Sequence, residues 1–154
     1  MDQLAQYYAK RAAEYERIYA KPERQTDLDA LRRRIGRMFA AKKVLELACG
    51  TGYWTEVIAG GASGVSALDA NEEVLQIART KSYPAGRVEL LTGDCYAPPD
   101  FNRRHDALFA GFWWSHVPLE RLDSFIETAT RSVVPGALMA FLDNRYVAGS
   151  STPV

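Results

Sequence analysis

The chain is poor in the residues that build metal centres and disulfide scaffolds: its 154 residues include two cysteines and two histidines. Cys49, Cys95, His105 and His116 show no metal-ligand spacing, so no metal is expected. Surplus charge is also lacking. Nineteen Lys and Arg balance nineteen Asp and Glu, so no global field draws the chain to nucleic acid or to an anionic membrane. No apolar run approaches the roughly 20 residues that span a bilayer. The opening Met1-Asp2-Gln3-Leu4 lacks the basic-then-apolar order of a signal peptide. The cysteines therefore read as reduced thiols in a cytoplasmic protein. The 47% of hydrophobic residues are enough for the core of one domain, 1–154.

Against that background one segment stands out. Val44-Leu45-Glu46-Leu47 reads as a buried strand, Ala48-Cys49-Gly50-Thr51-Gly52 as a tight turn, and Tyr53 to Ala59 as a helix. Glycine at such a turn tolerates positive φ and lets a ligand approach the backbone. Val65-Ser66-Ala67-Leu68-Asp69 reads as a second strand ending in a carboxylate. Asp69 falls 19 residues after Gly50, close to the roughly 20-residue offset at which an acid reaches ribose hydroxyls in nucleotide-binding folds. A dinucleotide site would place a third glycine at Thr55. Glu46, moreover, would serve a pyrophosphate poorly and a cationic amino group well.

The remaining chain alternates strands and helices. Further strands are expected at 87–92, 106–112 and 137–142, and further helices at 72–80 and 119–133. This alternation predicts a parallel sheet with ligands at the carboxyl ends of its strands. Leu119, Leu122, Phe125, Ile126 and Ala129 form the expected buried stripe of the last helix. Two helices precede the sheet. The first runs from Leu4 to Tyr19 before Pro22, and the second from about Leu28 to Phe39 with Asp27 as its cap. On the second, Arg32, Arg33, Arg34 and Arg37 read as a solvated face.

The run Glu46-Leu47-Ala48-Cys49-Gly50-Thr51-Gly52 with the downstream Leu68-Asp69-Ala70 resembles the first two motifs of class I S-adenosylmethionine-dependent methyltransferases. The likeness extends from Tyr7 to Asp143. It implies a Rossmann-like α/β three-layer sandwich with a mainly parallel sheet in the order 3-2-1-4-5. Lid helices would occupy 1–41, the cofactor-binding core 42–143, and a loop 144–154. The family sheet ends in an antiparallel hairpin. Here Gly149-Ser150-Ser151-Thr152-Pro153 has a loop composition, so the expectation is a chain truncated after its fifth strand. That strand would be an exposed edge liable to pair with another chain, as in a homodimer.

The resemblance also implies roles. S-adenosylmethionine would be the cofactor. Asp69, with Ala70 beside it, would hold the ribose, and Asp94 with the Cys95 N–H the adenine. Ala48, Gly50 and Gly52 would line the methionine moiety. Glu46 would hold its ammonium or, equally, pair within the fold. Tyr7 and Arg11 belong to a tyrosine-rich lid helix, where Arg11 would reach the cofactor carboxylate. Trp113, Trp114 and Tyr15 would wall an acceptor pocket, although strand alternation sends one tryptophan to the core. His116 reads either as a general base or as an ordinary residue at the entry to a helix, and His105 as exposed. The place after the fourth strand reads Phe112-Trp113-Trp114-Ser115 and has no Asn/Asp-Pro-Pro-Tyr motif, which points away from nucleobases and toward a small-molecule acceptor. Methyl transfer by in-line displacement is the first reading. An NAD-dependent oxidoreductase and a cofactor-binding subunit or sensor without catalysis are the alternatives.

Overall fold

A computed structural model describes residues 3–145 and residue 148; Gly149 to Pro153 lie outside the described residues, as do the side chains of Leu4 and Tyr8. Five strands form one parallel sheet: β1 (Lys43–Leu47), β2 (Gly64–Asp69), β3 (Val88–Thr92), β4 (Ala107–Gly111) and β5 (Leu138–Leu142). Their order is β3-β2-β1-β4-β5, as the resemblance implied, and every pairing is parallel. Strand order reverses between β1 and β4, which is where such sheets open a crevice for a ligand.

Period-two alternation distributes the core to both faces. Val44, Val65, Ala107 and Phe109 pack under helices α2 (Gln25–Met38) and α3 (Tyr53–Ala59). Leu45, Leu47, Leu108 and Ala110 pack under α5 (Leu119–Arg131), against Phe125 and Ala129. Glu46 therefore shares the α3 face with Val44. Helix α4 (Glu72–Arg79) crosses from β2 to β3, with Asn71 as its cap accepting from the Glu73 N–H at 2.9 Å. The link from β3 to β4 has no helix. It turns on Asp94 and Asp100, whose carboxylates accept from the Tyr96 and Asn102 N–H groups.

Several expectations are corrected. Helix α1 covers Gln3–Tyr15 and stops short of Tyr19; Arg17–Tyr19 form a separate 3₁₀ turn. Asp27 does not cap α2 but lies in its first turn, the cap position being Arg24. Leu119, 86% exposed, and the exposed Ile126 are off the buried stripe of α5. His105 is buried, not exposed: its ring meets Phe101 edge-on at 5.0 Å and its Nε2 lies 2.9 Å from the Ser66 hydroxyl. Its flanking charges do point outward. Strand β5 is a sheet edge, with Phe141 exposed. No helix among the described residues is long and apolar enough to cross a membrane, and none of their His, Cys, Asp and Glu groups could hold a metal ion.

Candidate cofactor site

The turn after β1 holds three positive-φ residues within five positions: Ala48 at 53°, Gly50 at 57° and Gly52 at 82°. Side-chain and backbone bonds pin this strained path in place. The Cys95 thiol sulfur accepts from the Ala48 N–H at 3.2 Å. Asp69 accepts from the Gly50 N–H through Oδ2 and from the Asn71 N–H through Oδ1, each at 2.8 Å. The ends of β1 and β2 are thus tied by the same carboxylate that was expected to reach a ribose. A Cβ on Gly50 would meet nothing within 4 Å, so its α-carbon faces open space.

That space is a cavity of about 180 Å³ at the carboxyl end of β1. Glu46, Ala48, Cys49, Gly50 and Thr51 form its floor and sides, and Trp54, Val74 and Gly111 also contribute. Tyr15, Ile18 and Tyr19 close it from the N-terminal segment. Tyr19 stacks on Tyr53, centroid to centroid 3.7 Å with the ring planes nearly parallel, and meets Trp54 edge-on. The Glu16 carboxylate accepts from the Thr51 hydroxyl at 2.6 Å and pairs with Lys81, which follows α4. A second cleft of about 330 Å³ has Leu28, Leu31, Phe112 and Leu142 as its apolar lining and Arg24 and Asp143 among its polar residues. Phe112 has φ of 54°, a strained setting for a bulky residue, and such outliers cluster at functional sites.

Glu46 is 2% exposed and accepts from the Thr55 hydroxyl at 2.5 Å. Burial pushes its pKa up from the ordinary 4.5 to about 8, with nearby Asp69 adding to the rise and Thr55 opposing it. Burial likewise raises the Cys49 thiol well above its usual range and carries Cys95 to about 12. Both cysteines are free and buried.

The expected residues divide. Glu46, Ala48, Gly50 and Tyr15 line the cavity. Asp69, Gly52 and Cys95 shape its turn. Asp94 is exposed and engaged with the Tyr96 N–H, and Ala70 is exposed beside Asp69. Arg11 pairs with Glu73 and Glu14 and bonds the Tyr7 hydroxyl, placing α1 against α4. Trp113 and Trp114 pack on the α5 face around Phe125, and His116 is exposed on the 3₁₀ turn Trp114–His116. These three line neither the cavity nor the cleft beside it. The sequence reading missed Glu16, Thr51, Tyr19, Tyr53 and Lys81. The available signal was the break after Tyr19 at Pro22, which folds the preceding segment back over the turn.

Fold and site together define a Rossmann-like α/β protein whose switch-point cavity is lined by a buried carboxyl and aromatic rings. Residues 44–136 match the family model for a methyltransferase domain, and the chain belongs to that family. It is 33% identical over 108 residues to a ubiquinone biosynthesis O-methyltransferase of Thiobacillus denitrificans, a match covering 66% of this chain and 44% of that protein. It is 29% identical over 104 residues to a demethylmenaquinone methyltransferase of Staphylococcus aureus, covering 66% and 42%. Among solved structures, the DhpI-SAM-HEP complex superposes with a TM-score of 0.73 at 35% identity, covering 90% of this chain and 63% of that one. The chain spans less than half the length of these two curated relatives.

Proposed function

We propose that this chain binds S-adenosylmethionine over the Gly50–Gly52 turn and serves methyl transfer to a small-molecule acceptor. The observation that carries the reading is the meeting of three features at the switch point: an open glycine turn, the Asp69 carboxylate, and a cavity floored by Glu46. The donor set suits that cofactor. A nucleoside carrying an ammonium and a sulfonium complements an acidic, aromatic-walled cavity. A pyrophosphate would meet Glu46, and the nearby Lys81 is already paired with Glu16, which weakens the dinucleotide alternative.

Bound there, S-adenosylmethionine supplies a methyl activated by its sulfonium for in-line displacement. The protein's task is then to position and enclose. Asp69 can keep its two backbone donors, which hold the turn in register, and use its remaining lone pairs to accept from ribose hydroxyls. Tyr15 and Tyr19 exclude water from above. The cleft across Phe112 offers an apolar compartment with a polar rim for the acceptor, of the general kind that suits small molecules. The quinone-pathway names of two relatives support an acceptor of that size. The free, buried thiols accord with a cytoplasmic setting.

Calorimetric titration with S-adenosylhomocysteine, with NAD as the parallel control, tests the reading. Micromolar binding of the first and none of the second is expected. Binding of NAD alone would overturn it. Methyl transfer from labelled cofactor then separates an enzyme from a binding subunit.

A further inference from the structure

Three carboxyl groups stand around the ligand end of β1 and β2, and their surroundings differ. Asp69 accepts from two backbone N–H groups. Glu16 has the Thr51 hydroxyl and the Lys81 ammonium. Glu46 is the most buried of the three, yet its one side-chain partner is the neutral Thr55 hydroxyl, and among the described residues no Lys, Arg or His forms an ion pair with it. It still lines the cavity. An ionised carboxylate with one neutral donor in a buried site is strongly disfavoured, and such a group neutralises instead.

We infer that Glu46 is a neutral carboxyl in the ligand-free protein and selects cationic ligands by giving up its proton when one enters the cavity. The O–H bond breaks, the proton passes to solvent, and the carboxylate pairs with the ligand cation. A neutral ligand of the same shape gains nothing from this exchange. The inference rests on the reading above only in taking the cation to be the ammonium of the adenosyl amino acid.

The groups facing Glu46 leave it this role. Asp69 on β2 is an acid and disfavours a second charge beside it. Tyr19, Tyr83 and Cys49 are each held further toward the neutral form, chiefly by burial. Lys81 is the nearby cation, and it opposes the upward shift of Glu46, but Glu16 holds it. The net result is the rise to about 8, so the group is mostly protonated at neutral pH.

Two measurements decide the matter. The infrared spectrum of the ligand-free chain at pH 7 should contain a protonated-carboxyl stretch that Glu46→Gln lacks. Absence of that difference overturns the inference whether or not any ligand binds. Titration with S-adenosylhomocysteine at pH 7 in phosphate and in Tris, which differ in ionisation enthalpy, should then show close to one proton released per ligand bound. Glu46→Gln should release none and bind at least tenfold more weakly. Methylthioadenosine, which keeps the nucleoside thioether and lacks the ammonium, should release none from either protein. Binding of S-adenosylhomocysteine with no buffer dependence, or with the same dependence in Glu46→Gln, overturns the inference. The carboxyl band without any binding of the adenosyl ligand overturns the cofactor assignment and leaves the neutral Glu46 standing.

Discussion

Gly50 and Gly52 share a left-handed backbone but differ in what surrounds their α-carbons. Any L side chain at either position costs about 1–2 kcal/mol in backbone strain. A Cβ at Gly52 would also come within 2.5 Å of the Tyr83 hydroxyl and 3.1 Å of the Ala78 Cβ, whereas one at Gly50 meets nothing. Gly52→Ala should therefore destabilise the fold more than Gly50→Ala, and Tyr83→Phe should recover part of the difference. Gly50→Ala should lose ligand affinity out of proportion to its stability, because its methyl would enter the cavity proposed for the ligand. Denaturant melts paired with titrations separate the two effects. Asp69 ties the same turn to β2 and is the proposed ribose acceptor. Its replacement by alanine should weaken S-adenosylhomocysteine binding by about 1.5–3 kcal/mol, the range for hydrogen bonds to a charged group. Unchanged affinity would remove it from the site. The departure from glycine at Thr55, which speaks against a dinucleotide, has a structural consequence as well: that hydroxyl is the donor to Glu46.

At the scale of elements, α1 and the 3₁₀ turn after it act as a cover fastened at two points. Arg11 meets Glu73 on α4, and Glu16 meets Lys81 and Thr51. The second fastening is the less exposed: the Lys81 and Glu16 side chains are 13% and 21% exposed, against 31% and 38% for Arg11 and Glu73. Partly buried charge-assisted bonds outweigh surface pairs. Glu16→Ala should thus speed amide exchange over residues 3–19 about tenfold or more while leaving β1 and β4 protected; Arg11→Ala should do much less. Equal effects from both would refute the ranking. The strands were legible to within a residue or so because buried apolar runs between glycine and proline punctuation have few alternative readings. The end of α1 was not, since Ile18 and Tyr19 continue its apolar period although the chain has already tightened into a 3₁₀ turn. His105 misled for a related reason. Arg103, Arg104 and Asp106 advertise a surface, and only the tertiary meeting with Phe101 and Ser66 buries the ring between them. Trp113 and Trp114 read as a pocket wall with one of them in the core, and their rings meet Phe125 and Phe141.

For the whole molecule, two buried titratable groups set opposite trends of stability with pH. Glu46 has a folded value of about 8, above its ordinary 4.5. Between those limits the folded chain holds more protons than the unfolded one, so this group makes stability fall as pH rises. Burial depresses His105 from 6.5 to about 4. There the unfolded chain holds more protons between pH 4 and 6.5, so stability rises with pH and becomes flat above 6.5. The two trends offset each other from about 4.5 to 6.5, and between 6.5 and 8 Glu46 acts alone. Unfolding free energy of the ligand-free protein should accordingly decline over that upper window, with a limiting slope of about 1.4 kcal/mol per pH unit, and the melting temperature should fall with it. Glu46→Gln should abolish the decline. Saturating S-adenosylhomocysteine should also remove it, because a ligand that binds the ionised carboxyl stabilises the fold more as pH rises. Calorimetric melts of both proteins at pH 6.5 and 8, with and without the ligand, give four slopes. A decline that persists in Glu46→Gln would place the responsible group elsewhere and leave the cavity without its charge switch.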